Sequence, residues 1–133
     1  MANKKRVMIV DDDPDILSSL RSLLETKGYK VYTFDNGHDF IKRLHEGKKP
    51  SLIILDVMMP TINGWQIQRI LQAHPKWSKY RIFFLTARST ESAIEMYEKY
   101  ATDYILKPFD INELLAKINN IFFENKVIPQ NYQ

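Results

Sequence analysis

The stretch Ser51–Gly64, SLIILDVMMPTING, constrains this chain more than any other. Leu52, Ile53, Ile54 and Leu55 form a continuous apolar run too short for an independent helix. A run of that kind, bounded by turn residues, reads as a strand covered on both faces. It stops on a carboxylate, Asp56, after which Pro60, Asn63 and Gly64 break regular structure. A buried strand thus delivers one acid to a sheet edge where a loop takes over. In open parallel α/β sheets, ligands bind at that edge, outside the carboxyl ends of the strands.

Other apolar runs lead to polar residues in the same way. Arg6–Val10 ends on Asp11, Asp12 and Asp13, and Pro14 then suits the first position of a helix, where its missing N–H costs nothing. Ile16, Leu17, Leu20, Leu23 and Leu24 recur at helical spacing until Gly28 stops them. Lys30–Phe34 is a weaker strand, and Phe40, Ile41 and Leu44 mark a short helix closed at Gly47. Beyond Asp56, Trp65, Ile67, Ile70 and Leu71 predict a third helix ending near His74-Pro75. Arg81–Leu85 predicts a strand that terminates on Thr86-Ala87, and Ser89–Lys99 a polar helix carrying Ile94, Met96 and Tyr97. Tyr104–Leu106 is a last short strand, ending on Lys107-Pro108. Asp110 and Glu113 have capping-box spacing ahead of a helix striped by Ile111, Leu114, Leu115, Ile118, Ile121 and Phe122. Five strand–helix alternations with short connections predict an α/β fold, a parallel sheet with helices on both faces. One domain over residues 1–124 is expected, followed by a tail at 125–133 that has no periodicity.

Composition narrows the class. With 133 residues, 44% of them hydrophobic and 26% charged, the chain suits one folded domain with a real core. It has no cysteine, which excludes a disulfide framework, thiolate metal sites and a cysteine nucleophile. No apolar run approaches the length of a membrane span, and MANKKR leads into no signal-peptide core, so a cytoplasmic protein without membrane attachment is the expectation. The net charge of +3 is mild, and basic residues come as short pairs such as Lys4-Lys5 and Lys48-Lys49. That pattern predicts a solvated basic surface and no direct nucleic-acid binding. His38, His45 and His74 fall at surface-like positions and are assigned no chemistry, and the Met58-Met59 pair is expected to pack the loop.

Parallel strands place all their carboxyl ends on one side, so Asp11, Asp12, Asp56, Thr86 and Lys107 can converge. Three carboxylates in one pocket repel unless the charge is offset. An oxygen-rich site with few protein ligands suits Mg²⁺. A lysine adds a point charge for a phosphoryl oxygen, and a threonine hydroxyl can bond another. Together these groups describe phosphoryl transfer, which depends mostly on positioning and charge neutralisation. Asp56 is then the nucleophile, forming an aspartyl phosphate.

The motifs VDDDPDI, LDVMMPTINGW, LTA and DYILKPF, in that order and one per strand end, resemble the receiver domain of two-component response regulators over Arg6 to about Glu124. Four such motifs in register on an alternating β/α chain are highly specific. The resemblance implies a flavodoxin-like sheet of order 2-1-3-4-5. It implies Asp56 as phospho-acceptor, Asp12 as a direct Mg²⁺ ligand, Asp11 as a ligand through water, and the Met58 backbone carbonyl as a further ligand. Lys107 would pair with the phosphoryl group and precede a cis bond to Pro108, while Thr86 and Tyr104 would be the switch hydroxyl and switch aromatic. The implied partners are a sensor histidine kinase or histidine phosphotransfer protein, and a downstream protein target or output domain. The implied output is phosphorylation-dependent partner binding or homodimerisation through the fourth helix, fifth strand and fifth helix, with Glu95 and Lys99 as exposed candidates.

Some positions depart from the family pattern. Tyr100 stands where glycine is frequent, so the helix ending there needs another cap, and Asn63 stands where aspartate is common. Met58 and Arg88 occupy the two variable positions beside the phosphoryl site. Two other classes compete. A haloacid-dehalogenase-type phosphatase would need a threonine after its first-strand acids and a cap element, and Asp11-Asp12-Asp13-Pro14 lacks the threonine. A degenerate receiver that only binds partners would have lost one of the acids or the lysine, and none is missing. The expected role is therefore signalling, catalysing only its own phosphorylation and dephosphorylation.

Overall fold

Five β-branched or aromatic runs pair as strands because each is short, apolar and bounded by turn residues. The computed structural model describes residues 4–123, so the predicted tail at 125–133 lies outside the described residues. The strands are β1 (Arg6–Val10), β2 (Lys30–Phe34), β3 (Leu52–Leu55), β4 (Ile82–Thr86) and β5 (Asp103–Leu106). The helices are α1 (Pro14–Thr26), α2 (Gly37–His45), α3 (Gly64–Ala73), α4 (Glu91–Tyr100) and α5 (Ile111–Phe123). All pairings are parallel and the order is β2-β1-β3-β4-β5, as the resemblance implied.

Side-chain alternation splits the core in two. Met8, Val10, Ile53, Leu55 and Phe84 meet α2, α3 and α4 through Phe40, Leu44, Ile67, Leu71 and Tyr97. Val7, Ile9, Leu52, Ile54 and Phe83 face the other way, onto Leu20, Leu24, Leu114 and Ile118 of α1 and α5. Among the described residues no helix is long and apolar enough to cross a membrane.

Helix ends differ from expectation in instructive places. Gly28 and Gly47 end α1 and α2 with φ of +93° and +96°, a conformation glycine adopts without steric cost. The capping box forms at Asn63 and Gln66 of α3, each side chain taking the other's backbone N–H. At α5, Asp110 accepts from the Asn112 N–H at 2.8 Å, a local turn contact in place of the box expected with Glu113. At Tyr100 the chain needs no glycine: Ala101 turns straight into extended backbone, its N–H still reaching the Tyr97 carbonyl. The methionine pair separates, Met59 packing into the core while Met58 is 55% exposed.

Candidate functional site

The register dictates which strand ends meet. Val10 pairs with Leu55, so Asp11 and Asp56 leave neighbouring strands on the same rung, with the Asp56 N–H donating to the Val10 carbonyl. On the other side, Thr86 pairs with Leu106, and the Lys107 N–H donates to the Thr86 carbonyl at 2.8 Å. The Lys107-Pro108 peptide bond is cis.

Asp11 and Asp56 are buried, Asp12 is exposed, and one carboxylate oxygen from each lies within 4.8 Å of the others. Lys107 Nζ donates to Asp11 Oδ2 at 2.7 Å and to Asp56 Oδ2 at 3.3 Å, bridging the two buried acids. Backbone N–H groups hold the remaining oxygens, Asp13 N–H on Asp11 Oδ1 and Met58 N–H on Asp56 Oδ1. Asp13 itself caps α1, taking the Asp15 N–H. Burial pushes both buried carboxyls above the ordinary range, the charge of Asp11 adding to the effect on Asp56 while Lys107 opposes it. Burial alone would lower the Lys107 ammonium, but its bond to Asp11 and the charges of both acids outweigh that and raise it.

One ammonium therefore faces three carboxylates. The excess negative charge, an all-oxygen donor set and one solvent-facing acid fit a hard divalent cation such as Mg²⁺.

Gly64 fixes the far wall. A Cβ there would stand 2.5 Å from the Asp56 carbonyl oxygen and 2.7 Å from the Val57 Cα, so the first turn of α3 rests directly on the backbone of the acid. The Gly64 N–H donates to the Val57 carbonyl. The loop between is tight enough to hold Thr61 at φ 69°, an uncommon conformation for a β-branched residue.

Thr86 is fully buried, and its Oγ1 accepts the Arg88 N–H at 3.1 Å. The next link was not anticipated. Tyr97, 0% exposed, donates its hydroxyl to the Arg88 carbonyl at 2.8 Å. Its ring stacks on Trp65 at 5.4 Å and contacts Phe84 and Tyr104 at 5.3 and 5.4 Å. Tyr97 thus stands between the threonine loop and half-buried Tyr104. The signal available in sequence was the pair Ala93 and Tyr97, four residues apart, the buried positions of α4.

Strand order, strand-end acids and bridging lysine together define a receiver-type α/β domain. The chain matches the family model described as "Response regulator receiver domain" over residues 7–119, and it belongs to that family. Among relatives, it is 38% identical over 118 residues to the transcriptional regulatory protein GltR of Pseudomonas aeruginosa, covering 88% of this chain and 48% of that protein. It is 32% identical over 117 residues to Protein PilH of the same species, covering 87% of this chain and 96% of that one. The chain thus spans about half the length of GltR but nearly all of PilH. Among solved structures, the response regulator TrrA from Thermotoga maritima, in complex with Mg²⁺-BeF, superposes with a TM-score of 0.76 at 32% identity, covering 88% of this chain and 98% of that one. The chemotaxis protein CheY4 of Vibrio cholerae, at 23% identity and a TM-score of 0.82, shares the fold over 90% of this chain and 99% of that one.

Proposed function

We propose that this domain receives a phosphoryl group on Asp56 from a phosphohistidine, carried by a sensor histidine kinase or a histidine phosphotransfer protein. The carrying observation is Lys107 Nζ seated between two buried carboxylates, Asp11 and Asp56, at 2.7 and 3.3 Å. In the transfer, an Asp56 carboxylate oxygen forms the new P–O bond as the donor's P–N bond breaks and its imidazole takes up a proton. Asp11, Asp12, Asp56 and the Met58 carbonyl would hold Mg²⁺, which supplies neutralisation of the acid charge when bound. The Mg²⁺-BeF complex of the related TrrA supports this ligand class. Lys107 turns from the acids to the added phosphoryl charge.

The added oxygens attract the Thr86 hydroxyl, which gives up the Arg88 N–H and frees the loop whose carbonyl holds Tyr97. Tyr97 and Tyr104 then reset the face made by α4, β5 and α5, where a downstream target, an output domain or a second copy binds. The phosphoryl group can only bias states already accessible to the chain. Beyond this cycle of self-phosphorylation and dephosphorylation no separate substrate is turned over.

Intact mass after incubation with acetyl phosphate tests the proposal. One phosphoryl group per chain is expected with Mg²⁺ and none with a chelator. Metal-independent labelling would overturn it.

A further inference from the structure

The edge of the sheet opposite the acids gathers basic residues that are far apart in sequence. Lys48 and Lys49 follow α2, while Lys76 and Lys79 lie between α3 and β4, and the fold brings the two segments together across one groove of about 710 Å³. His45 and His74 complete its polar lining, and among the described residues no carboxylate lines it. Lys49, Lys76 and Lys79 are exposed. The floor is apolar, formed by Leu44 and buried Trp77, with Tyr80 at the side.

The positive surface continues past the groove around β2. Lys48 sits 5.1 Å from the centre of the Tyr32 ring and Arg43, itself ion-paired with Glu46 at 3.5 Å, 5.6 Å from it, and Arg6 Nη1 donates to the Lys49 carbonyl at 3.3 Å. Burial would raise the Tyr32 phenol, yet the Lys48 hydrogen bond and the charges of Lys30, Lys48 and Arg6 outweigh it and lower it.

We propose that this groove docks an extended acidic segment of a partner protein, separately from the phosphoryl site. Charge complementarity demands a polyanion, and the row of cations running beyond the groove demands an extended one. Against a nucleic acid strand, most of the aromatic surface is already taken. Trp77 is stacked by His74 at 3.8 Å and met edge-on by His45 at 4.8 Å, and cations sit against Tyr32, so among the described residues half-buried Tyr80 at the groove's side is the one ring left, too few for successive bases to stack. An acidic peptide needs no stacking platform: its carboxylates meet the exposed ammonium groups of Lys49, Lys76 and Lys79, and an apolar side chain finds half-buried Tyr80.

The test is fluorescence anisotropy with a labelled peptide of four Glu-Asp-Leu repeats at low salt. A single-stranded oligonucleotide of equal charge and anionic phospholipid vesicles serve as the other arms. Saturable binding is expected to the peptide and to be weaker for both alternatives. Reversing Lys76→Glu with Lys79→Glu should weaken it at least about tenfold. The neutral pair Lys76→Gln with Lys79→Gln should weaken it less and guards against a misfolded reversal variant. Reversing Arg69→Glu with Lys27→Glu, the same charge change outside the groove, should leave binding near wild type. The groove variants should still accept a phosphoryl group from acetyl phosphate. Absent peptide binding, equal loss in the groove and control variants, or tighter binding of the oligonucleotide or the vesicles would overturn the proposal.

Discussion

A single methyl group separates a working pocket from a displaced one at Gly64, whose Cβ would meet backbone atoms of Asp56 and Val57 that have no rotamer to escape into. Gly64→Ala is expected to cost about 1–3 kcal/mol by denaturant unfolding and to slow phosphorylation by acetyl phosphate, because the acid itself must move. Unchanged stability and rate would show that the close approach is not required. The acids also make a pH prediction. Asp11 and Asp56 hold their protons more tightly than ordinary carboxyls, chiefly through burial. A carboxyl with a raised folded-state pKa contributes stability when protonated, and that contribution is lost as pH rises through the folded value. Lys107, also raised, keeps its contribution until pH passes above the ordinary lysine range. At neutral pH without divalent cations the ionised Asp11 and Asp56 carboxylates therefore oppose folding while Lys107 favours it. Asp56→Asn should melt above wild type there, with the gap closing as pH falls into the carboxylate range or Mg²⁺ is added. A variant that melts lower at neutral pH would contradict this.

At the scale of elements, α3 carries the acid's wall on its first turn, so its N-terminus matters beyond its own stability. Asn63→Ala removes one half of the box with Gln66 and is expected to cost about 1 kcal/mol in thermal or denaturant unfolding, with faster amide exchange at the start of α3. No change in exchange there would mean the first turn is held by Gly64 packing alone. The same elements show what sequence could reveal. Asp11, Asp56 and Lys107 were legible because each ends or follows an apolar strand, and parallel order puts such ends together. Spacing favours a box at Asp110 and Glu113, but spacing does not say which N–H a side chain will take, and Asn63 reads in sequence only as a turn residue. Tyr97 is legible as an apolar residue of α4, but not its hydroxyl bond to the Arg88 carbonyl, because α4 buries so little that its stripe reduces to two residues. The cationic groove was invisible because its two segments are joined only by the fold, and the short pairs looked scattered.

Across the whole molecule the sheet separates two charged clusters, acids and lysine at the carboxyl edge and basic residues at the opposite edge. The proposed route outward from the acids follows the contacts of Thr86, Arg88, Tyr97 and Tyr104, all on or beside β4, α4 and β5. Amide exchange with and without beryllofluoride and Mg²⁺ is expected to change within residues 88–123, and change confined to α2 would rule that route out. The most direct measurement is to trap the phosphorylated chain by reduction of the acyl phosphate and map the modified residue by peptide mass spectrometry. The account predicts a single modified residue, Asp56, which disappears in Asp56→Asn. Modification at Asp11, Asp12 or a histidine, or undiminished labelling of the Asn variant, would contradict it.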